Sequence, residues 1–130
     1  MKISSESLPT EQIRNNQCGD WSYSDTEIAV KSLAMSDWRY ELLIQLHELV
    51  EATLCKHRGI TDQKVTEFDE QFEKERSEGL HSETDEDGDD PRAPYRKEHF
   101  FATNIERLMA AELDVDWKDY EKEIYATTEA

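Results

Sequence analysis

The sequence predicts an α+β fold: a small N-terminal β-hairpin or sheet packed on a central helix, with two to three further helices and an acidic loop. Three observations predict it. Trp21 and Tyr23 alternate with serines, and Ile28 and Val30 alternate again after the turn residues Ser24, Asp25 and Thr26. Leu42, Leu43, Leu46, Leu49, Val50 and Leu54 then recur at spacings of three and four. Further helical periods follow, and strands first with helices after mark α+β rather than alternating α/β units.

Residues 11 to 32 are expected to be extended and to form the hairpin. The central helix should run from Ser36, a capping residue type, to His57, with Lys56, His57 and Arg58 favourable in the last turn and Gly59 ending it. A second helix is expected from near Asp62 to Arg76, with Val65, Phe68 and Phe72 on one stripe. From Glu78 to Asp90 the chain carries seven acids (Glu78, Glu83, Asp85, Glu86, Asp87, Asp89, Asp90) and no Lys or Arg. With its flanks, 77–93, it reads as an acidic flexible loop. A third helix should begin near Pro94 and carry Phe101, Ile105, Leu108 and Met109 to Leu113. A short last helix puts Trp117, Tyr120 and Ile124 on one side.

At 130 residues the chain suits a single domain, 1–130. The hydrophobic share is 36% and the mean hydropathy −0.90, as expected when a solvated acidic segment dilutes a core. The formal net charge is −16, from 31 acids against 15 bases, which argues against direct nucleic-acid binding and against an anionic membrane as partner. The same field suits a partner protein with a basic surface. No apolar run approaches the roughly 20 residues that span a bilayer. Cys18 and Cys55 are expected as reduced thiols in a cytoplasm, because Ser4, Ser5 and Glu6 interrupt any secretory pattern after Met1.

The chemistry concentrates on His47, Glu48 and Glu51. Centred on Leu46, the apolar arc of the central helix leaves His47 and Glu51 just beyond one edge, sharing a stripe with Tyr40, Ile44 and Cys55. In an HExxH helix, positions i and i+4 both reach a metal and the Glu at i+1 acts as base toward water. Here the pentad is HELVE: His47 and Glu51 take the ligand positions and Glu48 that of the catalytic base. Carboxylate is an accepted zinc ligand, so a divalent metal, zinc first, is the expected cofactor. A third ligand is expected from Glu98 or His99. Periodicity favours Glu98, which falls with Phe101, Ile105 and Met109 on the expected buried face; ligand chemistry favours His99, which falls nearer Glu106 on the expected polar one. Glu48 and Glu51 with Asp116 and Asp119 could also imitate the paired carboxylates of a MazG-like nucleotide pyrophosphohydrolase. Trp38 is expected in core or rim packing, His57 at a helix terminus and His81 in solvent.

The run DWRYELLIQLHELVEATLCKHRGI, from Asp37 to Ile60, with GDDPRAPYRKEHFFATNIERL, from Gly88 to Leu108, resembles a family of phage and prophage proteins. That resemblance implies a phage gene acting in a bacterial host cytoplasm and carries no activity across. Glu98 through Ala102 is more distantly similar to the ImmA/IrrE-type zincin metallopeptidases, where a ligand Glu shortly precedes a Phe-Ala step; the spacing here differs by one residue and the second helix His is absent. Together these readings imply a metal-binding, zincin-like protein of degenerate metallohydrolase type. The other expectation is a non-enzymatic acidic accessory or anti-defence protein that binds a basic host protein.

Overall fold

The computed structural model describes residues 1–9, 12–13 and 17–128; residues 11 and 14–16 of the stretch expected to be extended lie outside the described residues. Strand β2 (Gly19–Tyr23) and strand β3 (Glu27–Leu33) form the expected hairpin, antiparallel, with Trp21 opposite Val30 and Tyr23 opposite Ile28. Strand β1 (Lys2–Leu8) adds to the other edge of β3 in parallel, giving the order β1-β3-β2. No apolar alternation announces β1, because almost none of its side chains is buried. Ser5 and Ser7 face the helical layer instead, Ser5 bonding Gln45 and Ser7 bonding Glu41.

Helix α1 (Trp38–Arg58) is capped by Asp37 rather than Ser36, the Asp37 carboxylate accepting from Arg39 N–H at 2.9 Å. It ends where Gly59 turns left-handed at φ 72°, with Ile60 N–H returning to Cys55 C=O at 2.9 Å. Helix α2 (Asp62–Ser77) is capped by Thr61, whose hydroxyl accepts from Lys64 N–H at 3.2 Å. Helices α3 (Arg96–Glu112) and α4 (Trp117–Thr128) complete the fold. One core joins Trp21, Ile28 and Val30 of the hairpin to Ala52, Cys55, Val65, Ala93 and Tyr95. A second joins Leu43 and Ile44 to Ala110 and Tyr120, with Trp117 and Ile124 packed against it. Each fully buried large aliphatic in these cores contributes roughly 1.5–3 kcal/mol.

The acidic segment forms turns around a short 3-10 helix at Asp87–Asp89 and folds back on the helices. Arg76 donates to Asp85 C=O at 2.7 Å, and Gln17 to Asp87 at 2.8 Å. His81, expected in solvent, stacks on Phe72 with ring centres 4.0 Å apart and pairs with Glu75 at 2.8 Å. Trp38, expected in packing, is 66% exposed.

Helices α1 and α3 run antiparallel. Arg39 donates to Leu113 C=O at 2.9 Å at one end, and Arg58 reaches Glu98 at 2.6 Å at the other. The faces they press together are not the ones apolar periodicity selects. On α1 the buried residues are Leu43, Ile44, His47, Glu51, Ala52 and Cys55, while Leu46 is only half-buried and Leu42 is exposed. On α3 they are Glu98, His99, Ala102, Glu106 and Ala110, while Phe101 and Met109 are exposed. The expected polar position of His99 is thereby corrected. Paired polar groups bond one another between the helices, so a polar stripe is buried and an apolar one is left outside. Arg58→Ala should cost about 2–3 kcal/mol, because it strands the buried Glu98 carboxylate, and adding Glu98→Gln should recover most of that loss. Urea melts of the single and double variants check it; equal stability of the two would show that the pair holds nothing together.

Candidate metal centre

His47 and Glu51 stand one turn apart on the inner face of α1, and His99 reaches them from the first turn of α3. Three atoms converge. His47 Nε2 lies 3.1 Å from Glu51 Oε2 and 3.2 Å from His99 Nδ1, and His99 Nδ1 lies 3.0 Å from Glu51 Oε2. Ligands held tetrahedrally at zinc bond lengths are about 3.3 Å from one another, so this triangle is close to one face of such a set. The three buried residues could hold a metal ion.

Each donor is fixed from behind. His47 Nδ1–H donates to Glu106 at 2.8 Å, and Tyr120 O–H donates to the other Glu106 oxygen at 2.5 Å. Trp21 Nε1–H donates to Glu51 Oε1 at 2.9 Å. His99 Nε2 faces Glu86 at 3.2 Å and Asp89 at 3.3 Å. With those outer nitrogens donating, the inner ring nitrogens of neutral His47 and His99 turn lone pairs toward a carboxylate oxygen, an arrangement that requires protons or a cation at its centre. Where protons fill that role, burial opposes charging His47, but Glu106 and Glu51 outweigh it and raise it to about 10. Burial likewise opposes Glu51, yet hydrogen bonds from His47 and His99 hold it well below the usual carboxylate range. His99 is raised despite burial by Asp89, Glu51 and Glu86.

The triangle opens on a cleft of about 170 Å³ lined by Trp21, Ile44, Glu48, Tyr95, Tyr120 and many carboxylates. Glu48 is in this lining, and burial, then Glu51, push its carboxyl well above the ordinary range. Deeper along the cleft, Gln17 donates to both Asp69, at 3.0 Å, and Asp87, at 2.8 Å, while Tyr95 O–H donates to Asp69. Burial and the neighbouring Asp87 raise Asp69 to about 9, so the two acids share a proton.

Of the expected ligands, His47, Glu51 and His99 come together, whereas Glu98, also buried, pairs instead with Arg58 at the C-terminal end of α1. Asp116 and Asp119 lie exposed at the start of α4, outside the cleft. The sequence reading missed Glu106, Tyr120 and Trp21 as partners of the ligands. Glu106 had a signal, since seven residues from His99 is two helical turns on the same face. It also missed Gly88, where a Cβ would sit 2.4 Å from His99 Cγ.

No family model, curated protein or solved structure matches this chain. Among the described residues no helix is long and apolar enough to cross a membrane.

Two outcomes follow from the geometry. Gly88→Ala should displace the His99 ring, lowering stability by about 1–3 kcal/mol and reducing metal uptake, measured by thermal melts and metal titration; unchanged uptake would separate the acidic segment from the site. For protein kept in chelator, His47 at about 10 is raised above its unfolded value, so the folded state holds more protons than the unfolded one across that interval. Asp69, raised to about 9, acts with the same sign. Stability should therefore fall as pH rises from near neutrality toward 9 to 10, with a flatter profile in His47→Gln. A melting temperature that climbs over this range would contradict the assignment.

Proposed function

We propose that the chain is a metal-binding, zincin-like protein in which His47, Glu51 and His99 ligate one divalent ion, zinc being the best match to two imidazoles and a carboxylate. The observation that carries this reading is the convergence of three donor atoms, each with its own hydrogen-bonded support: Glu106 for His47, Trp21 for Glu51, and Glu86 with Asp89 for His99. Three protein ligands beside an open cleft fit a hydrolytic site better than a closed structural one. A divalent ion held there supplies Lewis acidity for hydrolysis. Glu48, at the cleft wall with its carboxyl pushed up, is the group suited to take and return a proton. Trp21 and Glu106 keep Glu51 and His47 oriented. The resemblance of Asp37–Ile60 and 88–108 to phage proteins supports a setting in a bacterial host cytoplasm. A second reading, an accessory protein that receives a basic protein, draws support from the acidic lining of the same cleft, where Arg76 is the one guanidinium among the described residues.

The test is metal content after purification without chelator or histidine tag. Stoichiometric zinc or another divalent ion is expected, lost in His47→Ala and strongly reduced in Glu51→Gln with a parallel drop in melting temperature. Glu48→Gln should keep its metal. Metal-free protein whose melt is the same in chelator and in added zinc would end the reading.

A further inference from the structure

Among the described residues, the outward face of the α1–α3 pair, opposite the cleft, is left apolar and open. Phe101 is 51% exposed, Leu108 66%, Leu42 40% and Met109 38%. Leu46, Val50, Leu54 and Ile105 lie among them, half-buried and outside both cores. On a helical wheel Leu42, Leu46, Val50 and Leu54 occupy one side of α1, while Phe101, Ile105, Leu108 and Met109 occupy the adjoining side of α3. A contiguous apolar patch shared by two adjacent helices marks a surface that another molecule covers. Alpha-helical rise gives the 17 residues of α3 a length of about 25 Å, so two adjacent helices present about 500 Å² in projection before side-chain relief is counted. That approaches the roughly 800 Å² of accessible surface per partner of a stable interface.

Charge indicates what covers it. At one end of the two-helix layer stand the C-terminus of α1 and the N-terminus of α3, carrying Lys56, His57, Arg58, Arg96 and Lys97. At the other stand Glu112 and Asp114, with Asp116 beyond them. We infer that this face binds a second copy of the chain across a two-fold axis that lies in the interface at right angles to the helices. That rotation sets α1 antiparallel to the second α1 and α3 antiparallel to the second α3. Each basic end then meets an acidic end, and Lys97 and Glu112, on opposite sides of Ile105 by eight and seven residues, approach their counterparts in the second copy. A rotation about an axis along the helices would place basic on basic and acidic on acidic. The net charge of −16 opposes any self-association, but salt screens the distant surfaces while the contact itself is apolar. The result is a four-helix layer at the centre of a dimer, with the two clefts on its outer sides.

Sedimentation of the full chain over a micromolar concentration series tests this. The expected species has twice the 15.2 kDa chain mass. Phe101→Asp with Leu108→Asp, both at exposed positions, should give a monomer with an unchanged circular dichroism spectrum. Lys97→Glu should weaken association about tenfold, and Lys97→Glu with Glu112→Lys should restore it. The inference is overturned if the chain is monomeric throughout the series, if the Phe101→Asp, Leu108→Asp variant still dimerises, or if the charge swap fails to restore what Lys97→Glu lost while high salt has no effect.

Discussion

A carboxylate and two imidazoles meeting within about one van der Waals contact of each other, away from water, is the constraint around which the rest of this structure is arranged. Glu51 is 5% exposed, His47 9% and His99 8%, and none of them could be left there without partners. Glu106, Trp21, Tyr120, Glu86 and Asp89 are those partners, and they come from a strand, two helices and the acidic segment. Every major element except α2 and the strands β1 and β3 thus contributes a group to one network. Helix α2 holds the acidic segment through Arg76 and offers Asp69 to Asp87 and Gln17.

The excess of acids acquires a local meaning from this arrangement. Asp20, Glu48, Asp62, Asp69, Glu73 and Glu86 line the same cleft, where low dielectric makes like charges costly. The cost shows in the acids themselves: burial and Asp87 raise Asp69 to about 9, and burial and Glu51 push Glu48 well above the ordinary carboxylate range. A divalent ion at the triangle would carry the same two positive charges as two imidazolium protons, concentrated close to Glu51. Gly88 shows how closely the acidic segment is fitted to the site, for the absence of a Cβ there is what lets the His99 ring lie against the backbone.

The hairpin, the central helix and the later helices were legible because each carries an ordinary signal: alternation at Trp21, Tyr23, Ile28 and Val30, Gly59 as a stop, and helical period elsewhere. Strand β1 was not, since an edge strand with serines toward a helix buries too little to show alternation. His47 and Glu51 were found by spacing, and His99 by ligand chemistry against the apolar period. The period misled at α3 for a physical reason. It assumes that the apolar stripe faces the core, whereas Glu98, His99 and Glu106 face inward because each has a charged or polar partner across the helix pair, and Phe101 and Met109 are left outside. Trp21 and Tyr120 carried no signal of a role beyond packing, because a ring that donates one hydrogen bond is indistinguishable in sequence from one that donates none.

The two unusual faces of the α1–α3 pair are consequences of one another. Filling the inner face with His47, Glu51, His99 and Glu106 removes apolar residues from the place where they would ordinarily hold two helices together, leaving Leu43, Ile44, Ala52 and Cys55 of α1 and only Ala102 and Ala110 of α3 as the buried apolar groups of the pair. Two helices joined mainly through polar groups have a spacing set by hydrogen-bond lengths, and a site whose donor atoms lie 3.0–3.2 Å apart tolerates little change in that spacing. Arg58 with Glu98 and Arg39 with Leu113 fix it at the two ends. An apolar layer pressed against the outer side, spanning both α1 and α3, would fix it along the middle, where neither clamp reaches. The leucines and phenylalanine that face outward on a monomer are, on that account, the support that lets the inner face be filled with polar groups.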